Sequence, residues 1–106
     1  MRLLTRAEEY VLLAVLKLGE EAYSLPILEF IEQATQKKWT LGGIYIPLYR
    51  LEEKGYLESD LGSPTRERGG KRKRYYLITR KGKDVLKKHR EIQSAMWAAV
   101  GKASLE

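Results

Sequence analysis

The residues best equipped for chemistry in this chain are cations, and they are crowded. Six of the nine residues in "RERGGKRKR" (66–74) are lysine or arginine. Arg66, Arg68, Lys71, Arg72, Lys73 and Arg74 could each neutralise a phosphate, so a polyanion is the partner such a run suits. The run leads directly into "YYLI", whose aromatic and β-branched residues read as a strand. A disordered basic tail would lack that apolar continuation, and a buried strand would not be preceded by "KRKR". The run is therefore expected to be basic and anchored, as the tip and one arm of a hairpin. Gly69 and Gly70 permit its reversal. Against this stands the reading of a solvated charge cluster that serves solubility alone.

A second set of polar side chains shares one face of an expected helix. Tyr45, Tyr49 and Arg50 lie opposite Ile44, Leu48 and Leu51 in "GGIYIPLYRLEEKG". Side chains on a helix that enters a DNA groove can read base edges, mainly from its N-terminal turns. Tyr45, Tyr49 and Arg50 are the candidate readers, with Thr40 and Gly43 near the helix start. Lys54, one turn further on, is a candidate phosphate contact, and Thr5, Arg6 and Lys38 are weaker ones. Two plainer roles compete: Tyr45 as a core aromatic against the preceding helix, and Arg50 as the ion-pair partner of Glu52 or Glu53.

The third set is apolar. Val85, His89, Ile92 and Met96 recur at spacings of four and three near the end of the chain, with Trp97 and Val100 beside them. Such a seam suits pairing with a second copy. Two copies of Trp97 could also flank a flat effector, with Met96 beside it, although a tryptophan that buries area in a dimer is the plainer role. His89 is the only histidine and cysteine is absent, so neither a metal site nor a thiol chemistry is expected. On the seam, protonation of His89 would weaken a dimer at low pH. The serines have no nearby base and the glycines lack the spacing of a phosphate-binding loop, so no catalytic constellation is present and no cofactor is expected.

The elements that position these groups follow from local signals. Thr5 and Glu8 have the form of a capping box, and the apolar stretch to Leu18 predicts a central buried helix that Gly19 stops. Ser24 is the expected N-cap of a second helix, with Pro26 in its first turn and Lys37 and Lys38 at its basic end. A third helix is expected from about Gly43 to Lys54, ended by Gly55; Pro47 argues for a start close before it. "YLESDL" and "RYYLI" read as two strands of a hairpin around a Gly/Ser/Pro-bearing loop. Thr79 then caps a last helix from Arg80 to Val100. Helices two and three, joined by a short Gly-containing turn, make a helix-turn-helix candidate, and the basic hairpin behind them makes it winged.

Composition agrees with that reading. The chain has 106 residues, 43% of them hydrophobic, which suits one small domain that a partner subunit would help to bury. The net charge of +6 points to nucleic acid or an acidic surface. Glu8 and Glu9 interrupt the N-terminal apolar run, so no secretory signal or membrane span is expected and the cytoplasm is the expected location.

"GGIYIPLYRLEEKGYL" followed by "RERGGKRKRYYLITRKG" resembles the PadR family of bacterial transcriptional regulators. Tyr45, Leu48, Arg50, Leu51, Glu52 and Gly55 fit that family's recognition-helix motif. Gly69, Gly70, Arg72, Arg74, Tyr75, Tyr76, Leu77, Thr79 and Gly82 fit its wing motif. Ile46 separates Tyr45 from Pro47, whereas the family's proline usually follows its tyrosine directly. The resemblance implies a homodimer that binds double-stranded DNA at a palindromic operator, usually as a repressor. It implies dimerisation through the C-terminal helix and, in some members, release by a small aromatic or cationic effector near that interface. The expected fold is mainly α with a small β-hairpin: a winged helix-turn-helix over residues 1–79 and a C-terminal dimerisation helix and tail over 80–106, forming one compact unit. A winged helix used for protein contact, and a nonspecific nucleic-acid binder, are the competing functions.

Overall fold

The computed structural model describes residues 2–62 and 73–101. Its elements are α1 (Arg6–Leu18), a 3-10 turn (Gly19–Glu21), α2 (Ser24–Thr35), α3 (Leu41–Glu53), β1 (Leu57–Leu61), β2 (Arg74–Ile78) and α4 (Arg80–Val100). This is the expected mainly helical winged fold.

The capping box that opens α1 forms in full. Thr5 Oγ1 accepts the Glu8 amide at 3.1 Å and Glu8 Oε1 accepts the Thr5 amide at 2.8 Å. Val11, Leu12, Ala14 and Val15 of α1 are buried against Ile27 and Ile31 of α2 and Ile44, Leu48 and Leu51 of α3. The expectation that α1 is buried on most sides needs correction: Leu13 and Leu16 are 41% and 49% exposed. Neighbouring elements of one chain cover only part of the apolar circumference of α1.

The ends of α2 also differ from expectation. Its N-cap is Tyr23, which makes no side-chain cap bond, and Ser24 is already helical. At the other end Gln36 takes a left-handed φ of 57°, so Lys37 and Lys38 fall outside the helix. Side chains stitch that turn instead. The Trp39 amide donates to Glu32 Oε2 at 2.9 Å, and its indole N–H to Thr35 Oγ1 at 3.1 Å.

Thr40 caps α3 by accepting the Gly43 amide at 2.9 Å, so the helix starts at Leu41 and runs straight through Pro47. The missing proline N–H leaves the Gly43 carbonyl without its usual helical donor. The helix ends in a Schellman arrangement. The Tyr56 amide donates to the Leu51 carbonyl at 2.9 Å and the Gly55 amide to the Glu52 carbonyl at 3.0 Å, with Gly55 at φ 81°.

β1 and β2 pair antiparallel, with Leu57 opposite Ile78 and Leu61 opposite Arg74. Leu57, Tyr76 and Ile78 turn into the core. Thr79 joins the hairpin to α4: its amide donates to the Tyr56 carbonyl, its hydroxyl to the Gly55 carbonyl at 2.7 Å, and its oxygen accepts the Gly82 amide at 3.0 Å. The first turn of α4 therefore lies directly on the end of α3.

The dimer seam read from the sequence splits in two. Val85 is 6% exposed and packs, with Leu86, in the chain's own core. His89 Nε2 lies 3.5 Å from Glu9 Oε2 of α1. Neither is an available interface residue, because the first half of α4 lies against α1. Ile92 is half-buried, and only beyond it does the apolar face open to solvent, with Met96, Trp97 and Val100 at 65%, 62% and 50% exposure.

Candidate nucleic-acid interface

The outer face of α3 carries the expected readers. Tyr45 and Tyr49 are 48% and 65% exposed, with Ile46 exposed between them. The Tyr45 ring is thus no core aromatic, yet it does touch α2: its hydroxyl donates to Ser24 Oγ at 3.2 Å. Arg50 is exposed and, among the described residues, forms no ion pair with Glu52 or Glu53. Glu53 instead serves Tyr49, raising the pKa of its phenol through a hydrogen bond and the adjacent negative charge. Thr40 and Gly43 are engaged with each other in the cap at the start of the same helix.

Lys54 departs from expectation. Its ammonium donates to Glu8 Oε2 at 2.7 Å and its side chain is 31% exposed, whereas that of Glu8 is 2% exposed. Burial alone would raise the Glu8 pKa. The Lys54 ammonium and the Thr5 amide outweigh it, and the carboxyl is held below its usual range. Lys54 therefore holds the end of α3 to the start of α1 instead of standing free for a phosphate. Nothing local announced Glu8 as its partner.

The root of the wing meets the helix-turn-helix at a cleft. Lys73 Nζ lies 4.4 Å from the centre of the Tyr23 ring and 3.3 Å from its hydroxyl. Arg74 Nη1 donates to Ser59 Oγ at 2.9 Å, and Ser59 donates in turn to Glu52 of α3. Tyr23, Ser24, Tyr45, Lys73 and Arg74 line a cleft of about 310 Å³ floored by Tyr76. The Tyr76 hydroxyl has a raised pKa, first through burial and then through Glu52. Sequence reasoning placed Lys73, Arg74 and Tyr45 here but missed Tyr23. The one signal it offered was an aromatic immediately before a helix start. Arg66, Arg68, Lys71 and Arg72, with Gly69 and Gly70, lie outside the described residues.

Two apolar surfaces lie elsewhere. Met96, Trp97, Val100, Gln93 and Arg6 border a shallow cleft of about 330 Å³. A larger groove of about 750 Å³ runs over α1 and α2, walled by Tyr10, Leu13, Leu16, Phe30, Ala34 and Trp39. Tyr10 and Trp39 meet there edge to face at 5.9 Å. Among the described residues no helix is long and apolar enough to cross a membrane, and no cluster of His, Asp or Glu could hold a metal ion.

Comparison with known proteins points the same way. A profile of the "Transcriptional regulator PadR-like family" matches residues 12–88. A transcriptional regulator from Clostridium thermocellum superposes with a TM-score of 0.74 at 24% identity, covering 92% of this chain and 89% of that one. A PadR-like transcriptional regulator from Bacillus cereus gives 0.71 at 22% identity, covering 88% and 85%. A PadR family transcriptional regulator from Eggerthella lenta gives 0.67 at 25% identity, covering 86% and 77%. No curated protein matches the chain.

Proposed function

The chain belongs to the PadR-like family of transcriptional regulators, and from that premise we propose that it is a homodimeric repressor acting on a palindromic operator. The observation that carries this reading is the outer face of α3, where Tyr45, Tyr49 and Arg50 stand exposed beside the root of a basic wing. Arg50 and Tyr49 read bases. Lys73 and the cations of the preceding run hold phosphates.

Dimerisation is assigned to the outer half of α4. Met96, Trp97 and Val100 are not covered by any element among the described residues, and the open groove on α1 and α2 offers a second apolar surface. A second copy that covers both removes more apolar area from water than either surface can bury alone. The two α3 helices would then enter successive major grooves roughly 34 Å apart. A small aromatic or cationic effector, bound beside Trp97 and Met96, would act by changing that spacing. The cytoplasm is the compartment this function requires.

Fluorescence anisotropy tests the proposal. A duplex from the gene's own upstream region and a scrambled duplex are compared at about 50 and 200 mM salt, a span over which phosphate-driven binding weakens strongly. Preferential binding to the first that survives the higher salt is expected. Equal binding to both that collapses with salt would leave a charge-driven binder without an operator there.

A further inference from the structure

We infer that the cleft between the start of α2, Tyr45 of α3 and the root of the wing is a seat for one DNA-backbone phosphate. The inference deepens the reading of α3 and the wing as a DNA interface and rests on it. Three elements converge on the cleft, and each supplies groups that suit a phosphate oxygen. The wing root contributes the Lys73 ammonium and the Arg74 guanidinium. The segment entering α2 contributes the hydroxyls of Tyr23 and Ser24, and α3 contributes the hydroxyl of Tyr45. Among the described residues no carboxylate lines the cleft; the nearby Glu52 is turned to Ser59.

The cations are already oriented. Lys73 lies over the Tyr23 ring with its Nζ 3.3 Å from the phenolic oxygen, and Arg74 is braced by Ser59. A cation held in place loses less freedom on meeting a phosphate than one on a free stem. The Tyr45–Ser24 hydrogen bond of 3.2 Å can open toward an incoming oxygen, because both hydroxyls can donate as well as accept. The volume of about 310 Å³ exceeds what a single phosphate group needs, and leaves room for bridging water. One phosphate seated here would touch the first helix of the helix-turn-helix, the reading helix and the wing together. It would thereby fix the register of Tyr49 and Arg50 on the duplex.

The test uses the full chain and a random-sequence duplex, since a phosphate contact is indifferent to sequence. Lys73→Gln is expected to flatten the dependence of log K on log salt by about 0.9, which is roughly an eightfold loss at about 0.1 M salt. Lys73→Arg should restore the slope. Tyr23→Phe keeps the ring and removes only the hydroxyl; about a threefold loss with an unchanged slope is expected, and the loss should vanish in the Lys73→Gln background. Thermal melts of each variant confirm that folding is intact. If the wild type binds with a steep salt slope while Lys73→Gln and Tyr23→Phe bind as it does, the seat is wrong and the DNA-binding reading survives. If the wild type binds no duplex, it is that reading that fails. Inorganic phosphate, compared with chloride at equal ionic strength, separates the sources: a backbone seat predicts no competition at millimolar phosphate, and strong competition would assign the cleft to a free anion instead.

Discussion

Lys54 Nζ sits 2.7 Å from Glu8 Oε2 across 46 residues of sequence, joining the C-terminal end of α3 to the first turn of α1. The carboxylate is almost wholly buried and completes the capping box of α1 with its other oxygen. One side chain thus serves helix initiation and the placement of α3. Truncating Lys54 leaves a buried carboxylate unpaired, so Lys54→Ala is expected to cost about 2–3 kcal/mol in urea unfolding. The pH dependence has a definite sign. The Glu8 pKa is lowered in the folded state, so its contribution is present above the unfolded value of roughly 4.3 and is lost as pH falls through the lower folded value. Glu8→Gln should flatten the acid limb of a stability–pH profile, and Lys54→Ala should flatten it too, because without the ammonium burial pushes the Glu8 carboxyl back up toward its unfolded value.

The junction of hairpin and α4 gives a second test. A Cβ built on Gly82 would lie 2.3 Å from the Tyr56 carbonyl oxygen and 2.8 Å from Ile78 Cγ1. Neither the backbone oxygen nor the packed isoleucine can yield without displacing the first turn of α4. Gly82→Ala is expected to destabilise the fold by about 3 kcal/mol. Gly42→Ala is the control, because its nearest neighbour, Thr40 Oγ1, is 3.9 Å away. Thermal or urea melts of the two variants decide it: equal stability would mean that α4 does not ride on Tyr56 as described.

These two sites also show what the sequence could and could not disclose. The caps at Thr5, Thr40 and Thr79 close over three residues, so local spacing was enough to find the first and last of them and the Gly55 stop. The start of α3 was misplaced because Pro47 argues locally against a helix that the Thr40 cap and the burial of Ile44 and Leu48 favour. The end of α2 was misplaced because Lys37 and Lys38 suit a helix terminus, while the bonds that close it run from Trp39 back to Glu32 and Thr35. Periodicity on α4 is equally ambiguous. An apolar seam from Val85 to Val100 does not say which half covers the chain's own core and which half stands exposed. The Glu8–Lys54 pair and the place of Tyr23 beneath Lys73 depend on the finished fold, and no spacing encodes them.

Glu53 offers a prediction on the outer face of α3 itself. Its carboxylate holds the Tyr49 phenol above its ordinary pKa and adds negative charge where DNA phosphates are proposed to approach. Glu53→Gln should strengthen binding to a random duplex by about threefold at low salt, and the gain should shrink as salt rises. The Tyr49 phenol should return toward the usual tyrosine range, which its ultraviolet titration reports. Arg50→Ala is the opposite case: it should weaken operator binding more than random-duplex binding, because a base contact carries sequence and a phosphate contact does not. Identical losses on both duplexes would reduce Arg50 to a backbone contact.

The last prediction separates the two halves of α4. Trp97 is 62% exposed and stands beside Met96 and Val100, whereas Val85 is buried in the core of its own chain. If the outer half pairs two chains, Trp97→Ala should weaken the dimer by tenfold or more, since interface tryptophans commonly contribute at least about 2 kcal/mol. The monomer's circular dichroism and its urea midpoint at low concentration should stay unchanged. Val85→Ala should do the reverse, lowering the unfolding free energy by about 1–2 kcal/mol while leaving self-association of the folded fraction alone. Sedimentation equilibrium over a range of concentrations, with urea melts beside it, distinguishes the outcomes. A Trp97→Ala variant that dissociates no more readily than the wild type would move the proposed interface elsewhere, with the groove of Leu13, Leu16 and Phe30 the next surface to mutate.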